Sequence, residues 1–195
     1  CKEIMTLLFE NCTVLPMTAE RSEANCFTGW VGVEGRRIAL VTAEASEAER
    51  WRKEHPDVRV VDGCGGVLMP GLVNTHCHMA MTLERSYADD MALMTWLNDC
   101  IWPFESHLTD DDIRTGALLG AAEMLLGGTT SVVDMYWSEA AVFDAVEQSG
   151  MRALLCCSYL DTRLEAFDRD LPALLEKCAG SARIRAGLAP HAAYT

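Results

Sequence analysis

The alternation of apolar and polar positions changes character once along this chain, near the glycines at 65 and 66. Before them the pattern is one of short strands. Residues 6–15 are rich in β-formers and end at Pro16. Residues 29–33 and 36–42 flank Glu34-Gly35, a hairpin signal. Residues 44–54 form a charged helical stretch stopped by Pro56, and 58–61 a further strand closed by Asp62-Gly63. After the glycines, strands and helices alternate. Residues 67–76 read as one nearly continuous apolar strand, as expected where both faces are buried. A long segment, 79–108, follows. Thr109 is placed to cap a helix running to Leu126, with Asp110, Asp111 and Asp112 in the first turn where the helix dipole favours acids. Strands are expected over 130–135, 152–159 and 184–189. Between them come a helix capped by Ser138 and ended by Ser149-Gly150, and another over 165–179.

Strands alternating with helices predict an α/β fold with a parallel sheet. Periodicity does not choose between an open doubly wound sheet and a closed barrel. No GxGxxG follows the first strand, which counts against a dinucleotide-binding sheet. His76, His78, Asp134 and His191 all fall at carboxyl ends of strands, where catalytic groups collect in barrels and ligands bind in open sheets. About four βα strands fit before Thr195, whereas a complete eight-stranded barrel takes roughly 250 residues.

Composition narrows the function classes. Half of the 195 residues are hydrophobic and 23% are charged, an ordinary soluble composition. The net charge of -13, with no basic patch, excludes nucleic acid as the expected partner. No apolar run is long enough to span a bilayer, and the start Cys1-Lys2-Glu3-Ile4-Met5 lacks a signal-peptide pattern. The nine cysteines are odd in number and contain no CxxC pair, so buried reduced thiols in a cytoplasmic protein are expected rather than a disulfide framework.

The chemistry concentrates in His76-Cys77-His78. In an extended strand residues i and i+2 share a face, so the two imidazoles project together and Cys77 points the other way. Such a pair can reach one divalent metal ion, zinc in the first instance, with iron or manganese as alternatives, at the ~2.0–2.1 Å of zinc–nitrogen bonds. Two ligands do not complete a catalytic zinc site, which usually has three protein ligands and an open position. The alternating Met79, Met81 and Leu83 read as packing. Asp134 reads equally well as a group in the sheet mouth or as a local cap, and Trp102 as a pocket wall or as core.

With these residues in view, the chain resembles the amidohydrolase superfamily, in its cytosine-deaminase-like and chlorohydrolase-like branch. Within it the resemblance is greatest to the methylthioadenosine/S-adenosylhomocysteine deaminases. It is carried by Pro70-Gly71-Leu72-Val73-Asn74-Thr75-His76-Cys77-His78, Ala88-Asp89-Asp90, Trp96-Leu97, Ile101-Trp102-Pro103-Phe104-Glu105, Gly127-Gly128-Thr129-Thr130 and Pro190-His191-Ala192-Ala193-Tyr194-Thr195. The resemblance implies the N-terminal half of a metal-dependent (β/α)8 barrel over 67–195, preceded over 1–66 by part of a small β-sandwich domain. It implies that His76 and His78 are metal ligands, that Glu105 in the loop after the first barrel strand binds substrate through ribose hydroxyls, and that His191 contacts the reacting ring. Arg163 and Arg169 are both candidates for a substrate-binding arginine. A third metal histidine, a catalytic glutamate and a metal-binding aspartate are expected beyond Thr195, so this chain alone is expected to be an inactive portion of a longer protein. The implied reaction is deamination of an adenosine-type nucleoside by metal-bound hydroxide, in a protein that is a homo-oligomer when intact. Guanine, another aminated heterocycle such as a pterin-like ring, or a chlorotriazine are alternative substrates. A non-catalytic half-barrel fragment or binding module is the alternative from another class. Two positions depart from the family pattern: Ser86 stands where Gly is usual, and Ala193 where Pro is usual.

Overall fold

The structure is a computed structural model that describes residues 5–18 and 26–192. The departure at Ala193, with Tyr194, Thr195 and the first four residues, lies outside the described residues. The chain divides into two compact units, Cys1–Pro70 and Gly71–Thr195.

The first unit is a mixed sheet of β1 (Thr6–Val14), β2 (Phe27–Glu34), β3 (Arg37–Thr42), β4 (Arg59–Asp62) and β5 (Val67–Leu68), with helix α1 (Ala45–Glu54) between β3 and β4. Its order is β3-β2-β1-β4, and β5 also pairs with β1. The expected hairpin joins β2 to β3. Glu34 pairs with Arg37, leaving Gly35-Arg36 as a two-residue turn. Gly35 takes a φ of 59°, which a side chain there would resist. β1 carries a bulge between Phe9 and Cys12, where Asn11 adopts a φ of 52°. Cys12, Val14 and Val31 form the small buried core.

The apolar run over 67–76 is not one strand. Val67 and Leu68 pair with Thr13 and Val14 of the first sheet. The chain then leaves at Met69, where Pro70 has no N–H for a ladder, and β6 (Leu72–Cys77) opens a second sheet. Burial on both faces is also not observed: β6 is an edge strand, with Leu72 51% and Val73 61% exposed.

The second unit holds four parallel strands, β6, β7 (Thr129–Tyr136), β8 (Arg152–Tyr159) and β9 (Ile184–Pro190), in the order β6-β7-β8-β9. Spatial order equals chain order, without the reversal that defines a doubly wound sheet. Helices α4 (Asp110–Leu126), α5 (Glu139–Ser149) and α6 (Leu164–Ala179) supply the helical side of the core. Along β8, Ala153, Leu155 and Cys157 enter that core, while the alternate Leu154 is 39% exposed.

The segment between β6 and α4 is helical in short pieces. A 3₁₀ turn (Met79–Glu84) is followed by α2 (Leu93–Thr95), a π-helical stretch (Trp96–Ile101) and α3 (Trp102–Glu105). The 3₁₀ turn lies against α4 so closely that a Cβ on Gly116 would stand 2.4 Å from the Ala80 carbonyl oxygen. Thr82 Oγ1 donates to the Gly116 carbonyl at 2.6 Å across that contact. Met79 is core, as its pattern predicted, whereas Leu83 is 39% exposed.

Helix caps follow the sequence in one case and not in another. Thr109 and Asp112 form a reciprocal capping box at α4. Ser138 occupies the N-cap of α5 but makes no capping bond, its hydroxyl donating instead to Asp110 Oδ1 at 2.7 Å. The cap comes from α6: Asp170 accepts from Glu139 N at 2.8 Å and from Ala140 N at 2.9 Å. Every cysteine among the described residues is a free thiol. No helix among them is long and apolar enough to cross a membrane.

Candidate active site at the carboxyl end of the parallel sheet

A cavity of about 450 Å³ opens at the carboxyl ends of β6–β9. His76, His78, Glu105, Arg163 and His191 all line it, with walls that include Trp96, Trp102 and Trp137. Trp102 is therefore a pocket residue. The strands deliver His76, the β7 residues Met135 and Tyr136, Ser158 and, just past β9, His191. The helical pieces after β6 deliver the Trp96, Trp102 and Glu105 side.

His76 and His78 meet by a less direct route than simple alternation. β6 shifts register against β7 between Asn74 and Cys77, and it ends at Cys77, so His78 lies just beyond it. Asn74 Oδ1 accepts from His76 N at 3.1 Å within that irregularity. The two rings still stand close, with centroids 5.1 Å apart and planes at 74°. His78 Nδ1 lies 2.7 Å from the Met135 carbonyl oxygen. A carbonyl can only accept, so Nδ1 carries the proton and Nε2 keeps its lone pair. That tautomer, tied by a backbone carbonyl, is the one a metal-binding imidazole needs. Cys77 turns away, as alternation predicted, and packs against the core beside Asp134. Burial and that carboxylate push its thiol up to about 12. Among the described residues no group of three His, Cys, Asp or Glu side chains could hold a metal ion. The donor chemistry of the histidine pair thus fits part of a site.

Glu105 is not in a loop. It closes the short helix α3 and is 6% exposed. Its carboxylate is paired with Arg163 Nη2 at 3.0 Å. Arg163 ends a 3₁₀ turn (Asp161–Arg163) after β8, with its guanidinium 5.4 Å from the centroid of the Trp137 ring. Arg169 is exposed on α6 and lies outside the cavity lining. His191 is exposed at the rim, and its backbone N–H donates to the Tyr159 carbonyl at 3.1 Å.

Asp134 does not reach the mouth. It is fully buried and accepts from Met79 N at 2.7 Å, fixing the chain just after His78. Beneath the sheet it shares a dry environment with Glu139, and the two buried carboxyls interact directly. Burial raises the carboxyl pKa of both, with the neighbouring acids adding to the rise at Glu139.

Three residues at or beside the site had no sequence signal or a weak one. Tyr136 ends β7 and Trp137 follows it, so strand position could have flagged them. Glu84 could not be anticipated, because an acid after Met-Thr-Leu reads as surface. It is 5% exposed, with Oε1 accepting from the Tyr136 hydroxyl at 3.4 Å and Oε2 unpartnered among the described residues. Burial first, and then the Glu105 charge, raise its carboxyl to about 7, against the opposing pull of Tyr136 and Arg163.

The parallel sheet, with two histidines at the end of its first strand, points to an amidohydrolase-type α/β fold, and the comparison with known families agrees. Residues 67–195 match the Amidohydrolase family, and the chain belongs to that family. It is 39% identical, over 98% of its length, to a 5-methylthioadenosine/S-adenosylhomocysteine deaminase of Carboxydothermus hydrogenoformans, of which it covers 43%. It is 46% identical, over 70% of its length, to a 5'-deoxyadenosine deaminase of Methanobrevibacter smithii, covering 33% of that protein. Among solved structures, an adenosine deaminase from Xanthomonas campestris with bound zinc superposes with a TM-score of 0.78 at 28% identity, over 98% of this chain and 44% of that one. A guanine deaminase from C. acetobutylicum with bound guanine gives 0.75 at 17% identity, over 95% and 46%, a likeness of fold alone. The chain spans less than half the length of these relatives.

Proposed function

We propose that the full-length protein containing this chain is a metal-dependent hydrolase that removes the ring amine of an adenosine-type nucleoside. The observation that carries the reading is a single cavity lined both by the histidine pair, with the tautomer of His78 fixed, and by the Glu105–Arg163 pair. The relatives named as deaminases of adenosine derivatives support it. In this reading the unreversed sheet is the first half of a (β/α)8 barrel, and the first unit is part of a β-sandwich.

His76 and His78 would hold the divalent ion, zinc by analogy with the zinc-bound relative. A divalent ion of this kind supplies water acidic enough to become a nucleophile at neutral pH. The chain's own residues bind and orient. Glu105 accepts hydrogen bonds from two ribose hydroxyls, which a carboxylate can do at once. Arg163 fixes the Glu105 rotamer before substrate arrives, so less ordering remains for binding. His191 faces the ring from the rim of β9. Trp96, Trp102 and Trp137 give the base apolar surface and exclude bulk water. Overall, water replaces the ring amine, leaving a ring carbonyl and ammonia.

Ammonia release by the full-length protein tests this reading against adenosine, its 5'-substituted derivatives, guanine and cytosine. Turnover of the adenosine derivatives is expected, and guanine or cytosine turnover with inert adenosines would overturn it. His76→Ala combined with His78→Ala should strip the bound metal. Stoichiometric zinc in that double variant would refute the ligand assignment.

A further inference from the structure

Behind Glu105 lies a second carboxyl that the proposed reaction does not use. Glu84 ends the 3₁₀ turn that follows β6, and the charged or titratable groups facing it come from three other elements. Tyr136 reaches it from β7 through its hydroxyl, at 3.4 Å from Oε1. Glu105 from α3 and Arg163 from the turn after β8 act on it through their charges. On its own segment the neighbouring Arg85 is engaged elsewhere, in a two-pronged pair with Glu123 at 2.9 and 2.7 Å. The Tyr136 hydroxyl also interacts with the Glu105 carboxylate, so it stands between the two acids. A hydroxyl has one proton to donate. Two carboxyls therefore compete for one hydroxyl proton, with the Arg163 guanidinium beside them, in a place from which water is nearly excluded.

We propose that Glu84 is a positioning residue for Glu105, acting through the Tyr136 hydroxyl. With a proton on Glu84, that proton is donated to Tyr136 Oη, and the Tyr136 hydroxyl donates onward to Glu105. Glu105 is then held by two partners, Tyr136 and Arg163, in the rotamer that faces the cavity. When Glu84 loses its proton it accepts the Tyr136 hydroxyl itself. Glu105 keeps only Arg163, and it gains a like charge behind it. The buried position and unpartnered Oε2 of Glu84 favour the protonated form up to about neutrality. Affinity for vicinal ribose hydroxyls should therefore be highest on the acid side of neutrality and fall above it. The inference rests on the reading of Glu105 as a ribose-binding residue.

The test is equilibrium binding to the full-length, metal-loaded protein, without turnover. The probes are inosine and 2',3'-dideoxyinosine, whose bases are the same, so the ratio of their Kd values reports the hydroxyl contacts alone. In the wild type the preference for inosine should shrink roughly threefold or more from pH 6 to pH 8, since a lost contact to a charged acceptor costs at least that much. Glu84→Gln, isosteric and unable to ionise, should hold the preference constant at its acid value. Glu84→Leu, which also has no proton to lose, should do the same and serves if the amide variant folds poorly. A pH-independent preference in the wild type, or a decline that persists in Glu84→Gln, overturns the inference. Glu105→Gln separates it from the parent reading. If that variant still prefers inosine fully, the ribose role of Glu105 falls, whereas loss of preference there with an unchanged decline in Glu84→Gln removes only the role of Glu84.

Discussion

The second unit buries carboxyl groups in two places, and they are built differently. On the cavity side Glu84 and Glu105 share a phenol and a guanidinium, and one of them opens onto the space where a substrate would lie. On the helix side Asp134, Glu139 and Asp170 are sealed under the sheet with backbone N–H groups and buried thiols. The contrast teaches that a buried acid is not by itself a sign of chemistry. Of the helix-side acids, Asp134 and Asp170 spend oxygens on the chain, holding Met79 N after the histidines and the first turn of α5. The cavity-side acids leave Glu105 oriented toward the space it lines.

Breaking each group should therefore damage different properties. The largest effect is expected at Asp170. Asp170→Ala removes the acceptor of two backbone N–H groups and of the Cys157 thiol, at 3.2 Å, and should cost about 3 kcal/mol in urea unfolding. A loss below about 0.5 kcal/mol would show that α5 finds its cap elsewhere. Next comes Glu105→Gln, which should raise KM for nucleosides about tenfold while leaving KM for free bases almost unchanged, with a smaller shift in unfolding than Asp170→Ala. Equal effects on nucleosides and bases would remove the distinction between the two groups.

A pH series sharpens the comparison further. Burial raises the Glu139 carboxyl well above the ordinary carboxyl value of about 4.5. The folded chain therefore keeps a proton that the unfolded chain has released. Stability from this group is full below about pH 4.5 and falls as pH rises toward the folded pKa. Glu139→Gln removes that dependence, so the variant should gain on the wild type as pH rises from 5 to 8, read as the difference in thermal midpoint. A constant difference would mean that Glu139 does not titrate in this window. The smallest expected effect lies beside Glu84. Ser86 has a φ of 59°, in the left-handed region that favours glycine. Ser86→Gly should stabilise by about 1 kcal/mol at most, and should leave the helix-side acids untouched.

What the sequence made legible follows from the range of the forces involved. Helix α4 was readable with its cap because Thr109 and Asp112 act within one turn. Strand β8 was readable from end to end because its apolar residues are contiguous. The Ser138 cap failed because the real acceptor, Asp170, is 31 residues away in sequence from the amide it holds. The split of the 67–76 run also depends on a distant partner, since β1 takes Val67 and Leu68 before the chain can continue. At the site, the residues at strand ends were readable, and the structure gathers His76, His78 and His191 around one cavity with Glu105. Arg163 became distinct from Arg169 only through its contact with Glu105. Glu84 stayed hidden because nothing local distinguishes a buried acid from a surface one.

The order β6-β7-β8-β9 has a consequence for assembly. Each strand pairs with the one synthesised immediately before it, and each intervening helix packs on the unit just made. No strand has to wait for a distant partner inside this sheet, although the first connection, residues 78–128, is longer than the two that follow. The sheet can therefore be laid down in the order in which the ribosome delivers it. The histidine strand comes first, and its free edge stays exposed while the later strands are added.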